Sequence, residues 1–206
     1  MVLHTLHEDQ VEMRLRSLAT CLALMSPSAV HAGDRAERLR NGVRALGDVR
    51  PELIDDAVEA AMVSETPDWS AEFLLGLAYQ ESRFEPRQQT GLVCGPMQVS
   101  PRDLEENDRF CGGSRLYTRM CWERAREQCH MWSQDMTLAF QAAVRELDWW
   151  LQRGGGSSRA ALTGRACGHF RGCGKSWFIE NIRCSETRIR AGRNDVCRYR
   201  RPPANN

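Results

Sequence analysis

The chain has 206 residues, of which 42% are hydrophobic, and its 28 basic and 27 acidic side chains leave a formal net charge of +1. This length and composition suit one globular domain with a real core and leave little room for two. A balance so close to neutral excludes the overall basic field of a nucleic-acid-binding domain, so we expect no nucleic-acid partner.

The first 32 residues have the pattern of a secretion signal. A basic segment begins at Met13, a short apolar run covers residues 18–25, and residues 30–32 end in a small-residue cleavage site. We expect Met13 to be the true start, because the residues before it are acidic; the alternative for the segment is an ordinary buried helix. The apolar run is too short to cross a bilayer, so we expect a periplasmic or secreted protein without stable membrane insertion.

Nine cysteines support export, and one of them, Cys21, lies inside the predicted signal. An even, high count in an exported domain indicates a disulfide framework, so we expect four disulfides and no free thiol among the other eight. Those eight are Cys94, Cys111, Cys121, Cys129, Cys167, Cys173, Cys184 and Cys197. The alternative is a metal site, but no Cys-x-x-Cys pair occurs and only His130 and His169 follow the signal, so we expect no metal.

Hydrophobic periodicity predicts a mostly helical, all-α domain. Helices are expected over 34–47, 51–64, 66–84, 115–129 and 137–153, with a short one after Ser158 and another near 177–183. Glycine and proline make residues 87–101 a loop with short irregular strands. We divide the chain into the signal, an N-terminal helical segment over 33–65, a main domain over 66–198 and a disordered basic tail over 199–206.

One acidic residue lies on an apolar helix face. Leu74, Leu77, Glu81 and Phe84 follow each other at spacings of three, four and three, which places them on one side of the predicted helix. Burial disfavours the charged form of a carboxylate, and a protonated carboxyl group can donate to a glycosidic oxygen. The alternative is a surface glutamate that pairs with a nearby arginine.

Two motifs around Glu81 carry a family resemblance. Residues 81–86 read Glu-Ser-Arg-Phe-Glu-Pro, and residues 91–101 read Gly-Leu-Val-Cys-Gly-Pro-Met-Gln-Val-Ser-Pro. The pair resembles the soluble lytic transglycosylases, a family related to goose-type lysozyme. The resemblance covers roughly residues 66–180. It implies a compact lysozyme-like helical domain that acts on peptidoglycan glycan strands, without a cofactor and as a monomer.

By this resemblance Glu81 is the catalytic acid and base, and Ser82 beside it helps to position the substrate or the carboxyl group. Gly95, Met97 and Gln98 would line the sugar-binding cleft. Glycine permits close approach of backbone groups to a sugar, methionine offers an adaptable apolar contact, and glutamine offers both a donor and an acceptor.

A third motif departs from the family at one residue. Residues 161–168 read Ala-Leu-Thr-Gly-Arg-Ala-Cys-Gly, and Arg165 occupies the position of the family's tyrosine, whose hydroxyl contacts the catalytic glutamate. An arginine there favours the ionised carboxylate, which opposes an acid role. We therefore expect Arg165 to point away from Glu81, towards solvent or a substrate carboxylate. The alternative is that Tyr79, Tyr117 or Tyr199 substitutes for the family's tyrosine.

The function that this predicts is cleavage of the bond between N-acetylmuramic acid and N-acetylglucosamine, with a 1,6-anhydro product. The lone glutamate favours this route, because an inverting glycosidase needs a second carboxylate about 6.5–9.5 Å away. The alternatives are a hydrolytic goose-type-like muramidase, a silent peptidoglycan-binding module and a small disulfide-rich interaction protein. Cys94 is expected in a disulfide, and the five tryptophans from Trp122 onwards are expected mainly in the core.

Overall fold

A computed structural model describes residues 27–86, 89–90, 93–101, 104, 119–171 and 173–200. The hydrophobic part of the predicted signal, Cys111, Tyr117 and the end of the predicted tail lie outside these residues, and the expectations about them stay predictions. The chain divides into two units, residues 1–37 and 38–206. The described part of the first, residues 27–37, is helical, and the description from here on concerns the second.

The regular structure of the described residues is almost entirely helical, as the sequence predicted. The helices are α1 (Pro27–Leu46), α2 (Ile54–Ser64), α3 (Ala71–Ser82), α4 (Arg119–Trp132), α5 (Met136–Arg153), α6 (Ser158–Cys167) and α7 (Ser176–Ala191). A 3-10 turn, Pro51–Leu53, leads into α2. The strands β1 (Gln89–Thr90) and β2 (Val93–Cys94) form one short antiparallel hairpin.

The helix that carries Glu81 begins later than the sequence predicted. Ser70 caps α3, since its side chain accepts a hydrogen bond from the backbone N–H of Phe73 at 3.2 Å. Thr66, at the predicted start, instead closes a turn in which its hydroxyl accepts from the N–H of Trp69 at 3.3 Å. The expected start at residue 66 is therefore wrong. Two hydroxyls that could cap the helix, those of Thr66 and Ser70, lie four residues apart, and the helix begins after the second.

Helix α3 lies at the centre of the domain and packs most closely against α7. Gly76 makes this possible, because a Cβ there would lie 3.0 Å from the backbone O of Ile182 and 3.0 Å from the backbone N of Glu186. Helix α7 ends at Ala191, eight residues beyond the predicted end at 183, and is capped by Gly192 in the left-handed conformation. Helix α2 covers the core next to α3 and α5.

The residues predicted to form apolar stripes are buried. On α3 and just after it, Leu74, Leu77 and Phe84 are 0% exposed. From the 3-10 turn through α2, the apolar residues that recur at helical spacing are buried as well: Leu53, Ile54, Ala57, Ala60 and Ala61. Glu81 continues the α3 stripe at its last turn, where the core gives way to a cleft.

Every cysteine among the described residues is disulfide-bonded. The pairs are Cys94–Cys129, Cys167–Cys173 and Cys184–Cys197, and Cys121 is bonded as well. The predicted disulfide framework is confirmed in this part of the chain, and it is typical of an oxidising, extracytoplasmic compartment. In the described ranges, no helix combines the length and the apolar character that a membrane span requires.

Candidate functional site

A cleft of about 490 Å³ opens beside the end of α3. This volume lies within the range of small-ligand sites in proteins. The walls come from α3, the loop that follows β2, α5, α6 and the start of α7. The lining residues are Glu81, Val93, Gln98, Ser100, Glu146, Arg165, Ala166, Lys175, Trp177 and Phe178.

Glu81 reaches this cleft because the chain turns sharply after it. Helix α3 ends at Ser82, and the next two residues, Arg83 and Phe84, have φ values of +58° and +68°. An aromatic residue rarely adopts this left-handed conformation, and such strain persists only where the surroundings enforce it. Here the Phe84 side chain is 0% exposed, so its burial holds the turn in place. The side chain of Glu81 is 17% exposed.

Arg165 contacts Glu81 directly. Its Nη1 donates to Oε1 of Glu81, and its Nε donates to Oε2 of Glu146 at 3.0 Å. Its Nη2 donates to the backbone O of Met97 at 2.5 Å. The side chain is only 5% exposed. The expectation that Arg165 points away from Glu81 is therefore wrong.

The packing of α6 explains this orientation. Gly164 precedes Arg165 and lies against Trp150 of α5 so closely that a Cβ would overlap the indole ring. This contact turns the next residue, Arg165, into the cleft wall, where Glu146 of α5 is also buried. Two carboxylates therefore face one guanidinium, and this charge balance is what permits a buried cation.

The electrostatics of Arg165 follow from these partners. Burial by itself lowers the pKa of the guanidinium, but the charges of Glu146 and Glu81 and their hydrogen bonds outweigh it, and the pKa of Arg165 is raised above its usual value. Arg165 thus stays positively charged. Because Glu146 alone can neutralise it, the three-residue cluster is neutral when Glu81 carries a proton.

The loop after β2 is a compact turn fixed to its neighbours. The backbone groups of Cys94 and Val99 exchange two hydrogen bonds of 3.1 Å, and Nε2 of Gln98 donates to the O of Gly95 at 2.9 Å. The hydroxyl of Ser82 donates to the O of Pro96 at 2.7 Å. The disulfide Cys94–Cys129 ties this loop to α4. The second predicted motif thus lies directly beside the first.

These contacts correct the roles expected for three of the loop-side residues. Gln98 lines the cleft, as expected. Met97 is 0% exposed, so its side chain makes no contact with a sugar, and its carbonyl group supports Arg165 instead. Gly95 approaches α4 rather than the cleft, since a Cβ there would lie 3.2 Å from the O of Trp132. Ser82 braces the loop.

The tyrosines proposed to replace the family hydroxyl have other partners. The hydroxyl of Tyr79 donates to the O of Leu46 at 3.3 Å, and that of Tyr199 pairs with Oγ of Ser185 at 3.1 Å. Burial raises the pKa of Tyr79, as expected for a phenol inside the core. Neither hydroxyl contacts Glu81, so that expectation is wrong for both, and Tyr117 lies outside the described residues.

Glu146 is not among the predicted site residues, although the sequence contains a signal for it. Ala139, Ala142, Ala143, Glu146 and Trp150 recur at helical spacing, and all five are buried. An acid on such a face is the same pattern that singled out Glu81.

Aromatic residues of the cleft come from the start of α7. Of the five tryptophans considered, Trp132 and Trp150 are buried in the core, whereas Trp177 lines the cleft next to Phe178. The two rings meet edge to face, with centroids 5.9 Å apart. Aromatic faces of this kind are suited to contact with a sugar ring.

The resemblance to the soluble lytic transglycosylases rests on the sequence motifs, because the comparisons with known proteins find no match. No protein-family model matches the chain, and neither a search of curated proteins nor a search of solved structures finds a match. Among the described residues, no three side chains of the metal-binding types form a cluster that could hold an ion.

Proposed function

We propose that this protein is a lytic transglycosylase that cleaves the bond between N-acetylmuramic acid and N-acetylglucosamine in peptidoglycan. The observation that carries the proposal is the position of Glu81: a mostly buried carboxyl group in a cleft of ligand size, beside Gln98 and Trp177. The two sequence motifs that resemble the soluble lytic transglycosylases meet at this point. Strained backbone at Arg83, Phe84 and Gln98 is a further feature typical of active sites.

Glu81 acts first as an acid. Its Oε1 is held by Arg165, and within the described ranges its Oε2 accepts no hydrogen bond from the protein, so Oε2 can meet the glycosidic oxygen. Glu146 serves as the counterion of Arg165, which lets Glu81 carry a proton in a neutral cluster. When that proton moves to the leaving oxygen, the new carboxylate is stabilised by the adjacent guanidinium.

Glu81 then acts as a base. Transfer of its proton to the glycosidic oxygen breaks the bond from that oxygen to C1 of the muramic acid. The 6-hydroxyl oxygen of the same sugar bonds to C1, and its proton passes to the Glu81 carboxylate. Glu81 ends the cycle protonated, as it began, and the products are a 1,6-anhydro sugar and a shortened strand. No water is consumed.

Hydrolysis by an inverting muramidase has less support. That reaction needs a water molecule between two carboxylates. Here Arg165 donates to both Glu81 and Glu146, so its guanidinium fills the gap between them. A silent peptidoglycan-binding module is the second candidate, and the ion pair between Arg165 and Glu81 is the observation that favours it, because a cation stabilises the form of Glu81 that cannot donate a proton.

Mass spectrometry of the products separates these functions. Peptidoglycan is digested with the wild-type protein, with Glu81→Gln, and with Glu85→Gln as a control in the same segment. We expect anhydro products from the wild type and the control and none from Glu81→Gln. Reducing products indicate a muramidase, and binding without products indicates a silent module; either result overturns the proposal. The predicted signal and the disulfides support action in the periplasm or outside the cell.

A further inference from the structure

A second cavity, of about 760 Å³, lies next to the proposed active site. It is formed by α6, the connection from α6 to α7, and the first turns of α7, and the disulfide Cys167–Cys173 lies in its wall. Lys175 lines both this cavity and the cleft of Glu81. The two spaces therefore meet at one residue, and a branched ligand can occupy both.

The second cavity is positively charged although the chain is close to neutral. Four basic side chains line it, Arg159, Arg171, Lys175 and Arg183, against one acidic side chain, Glu180. The carboxylate of Glu180 already faces Nε of Arg200, at 2.5 Å. A concave surface of one charge attracts ligands of the opposite charge.

Two of these cations have no ion-pair partner among the described residues. In the part of the chain that the structure describes, neither Arg159 nor Arg171 forms a salt bridge. Arg183 pairs with Glu186 at 3.1 Å, but that carboxylate also accepts from Arg190 at 2.9 Å and so serves two arginines. The cavity thus has unneutralised positive charge, which an anionic group of a ligand would compensate.

Apolar residues form the rest of the cavity. Leu162 is 2% exposed at its base, and Ile179 and Phe170 complete the wall. A cavity with an apolar base and arginines at its edge suits a short peptide that carries carboxylates, because guanidinium groups bind carboxylates in two-point geometry.

We propose that this second cavity binds the carboxylates of the stem peptide that branches from the muramic acid held in the first cleft. The inference rests on the proposed function, since it takes the glycan to lie against Glu81. The sugar backbone occupies the cleft of Glu81 and Trp177, and the peptide passes Lys175 to reach Arg159 and Arg171. The protein thereby distinguishes peptide-bearing from bare strands.

Binding to the Glu81→Gln protein tests this without catalysis. Three soluble glycan fragments are compared by calorimetry: one with stem peptides, one from which an amidase has removed them, and one whose peptide carboxylates are converted to amides. We expect the first to bind about tenfold more tightly than the other two, since charge-assisted hydrogen bonds to carboxylates contribute on this scale.

The double substitution Arg159→Gln and Arg171→Gln, in the same background, should remove that tenfold preference and leave the affinity for the peptide-free fragment unchanged. Arg126→Gln with Arg193→Gln is the matched control, because it removes two charges away from the cavity. Equal affinity for all three fragments, or an unchanged preference in the double variant, overturns the inference while the proposed function stands. Absence of binding to every fragment overturns both.

Discussion

Nε of Arg165 on α6 donates to Oε2 of Glu146 on α5 at 3.0 Å, and both side chains are 5% exposed. The same guanidinium holds Oε1 of Glu81. Because Glu146 can balance the charge of Arg165, Glu81 does not have to be ionised to do so. Glu146 acts as a positioning residue in the proposed reaction, since it touches Arg165 and not the reacting atoms.

Glu146→Gln should lower the rate of glycan cleavage about tenfold near neutral pH and much less in mild acid. Without the Glu146 charge, Glu81 becomes the only counterion of Arg165 within the described ranges and is held as a carboxylate. Loss of about nine tenths of the protonated form of Glu81 would lower the rate by about tenfold, because only that form can donate the proton. Initial rates at the two pH values, with KM and kcat separated, measure the effect.

The control for Glu146→Gln is Glu123→Gln, which removes a carboxylate from an exposed ion pair with Arg119 on α4. Exposed pairs of this kind contribute little. A purely structural role for Glu146 would lower the rate by the same factor at both pH values, and that outcome would contradict the charge-balance argument.

Glu81→Gln should reduce cleavage to below about a tenth of the wild-type rate, because general acid catalysis typically contributes at least a hundredfold. The free energy of unfolding should change by no more than about 1 kcal/mol, since the glutamine keeps an acceptor oxygen for the hydrogen bond from Arg165. Turbidity clearing and denaturant unfolding measure the two quantities. Residual activity above about a tenth would exclude Glu81 as the acid.

Gly164→Ala should lower the free energy of unfolding by about 2 kcal/mol, the usual cost of overpacking a core. An added Cβ overlaps the ring of Trp150, so α6 must move away from α5, and Arg165 moves with it. Activity should therefore fall along with stability. Urea unfolding and cleavage assays on the folded protein measure both effects.

A second-site change tests whether Trp150 is the cause. Trp150→Leu makes room for the new methyl group, so Gly164→Ala should cost less in that background than in the wild type. A double-mutant cycle gives the coupling between the two sites. If the two changes in the free energy of unfolding simply add, contact with the Trp150 ring is not the reason for a glycine at position 164.

Loss of the Cys94–Cys129 disulfide should reduce activity more than loss of Cys184–Cys197. The first pair closes 35 residues and the second 13, so their removal should cost about 4 and about 3 kcal/mol, respectively. Stability thus changes similarly, but only the first pair holds the loop of Gly95 and Gln98. Cleavage rates of the two Cys→Ser double variants, compared while both are folded, provide the measurement. Equal rates would count against a role for the loop.

The predictable part of this protein is the part that local sequence determines. The stripe of Leu74, Leu77 and Phe84 gave the buried face of α3 and the place of Glu81 on it. The Gly95–Gln98 loop was recognised from its motif, and its position next to Ser82 agrees with the motif spacing. Helix types were correct, while boundaries such as Ala71 depended on which hydroxyl capped the helix.

The orientation of Arg165 was not predictable in this way. Its direction depends on how closely α6 approaches α5, which is set by Gly164 against Trp150, fourteen residues apart in the sequence. The burial of Arg165 depends on its ion pair with Glu146, an acidic residue on the otherwise apolar face of α5. Periodicity identifies the faces of single helices, but the pairing of charges between two helices follows only from their packing.

Arg165→Tyr in the Glu146→Gln background should restore the rate near neutral pH that Glu146→Gln alone removes. The double variant contains neither the guanidinium that holds Glu81 as a carboxylate nor the buried counterion of that guanidinium, and a neutral hydroxyl can still position Glu81. Arg165→Tyr alone is the less informative variant, because it leaves Glu146 buried and unpaired, which typically costs about 3 kcal/mol.

The measurement is the ratio of initial rates near neutral pH and in mild acid for the wild type, Glu146→Gln and the double variant. We expect the ratio to fall in the single variant and to recover in the double variant. If the ratio stays low after Arg165 is replaced, the guanidinium does not control the protonation of Glu81. The contacts of the loop that contains Met97 and Gln98 would then be the alternative cause.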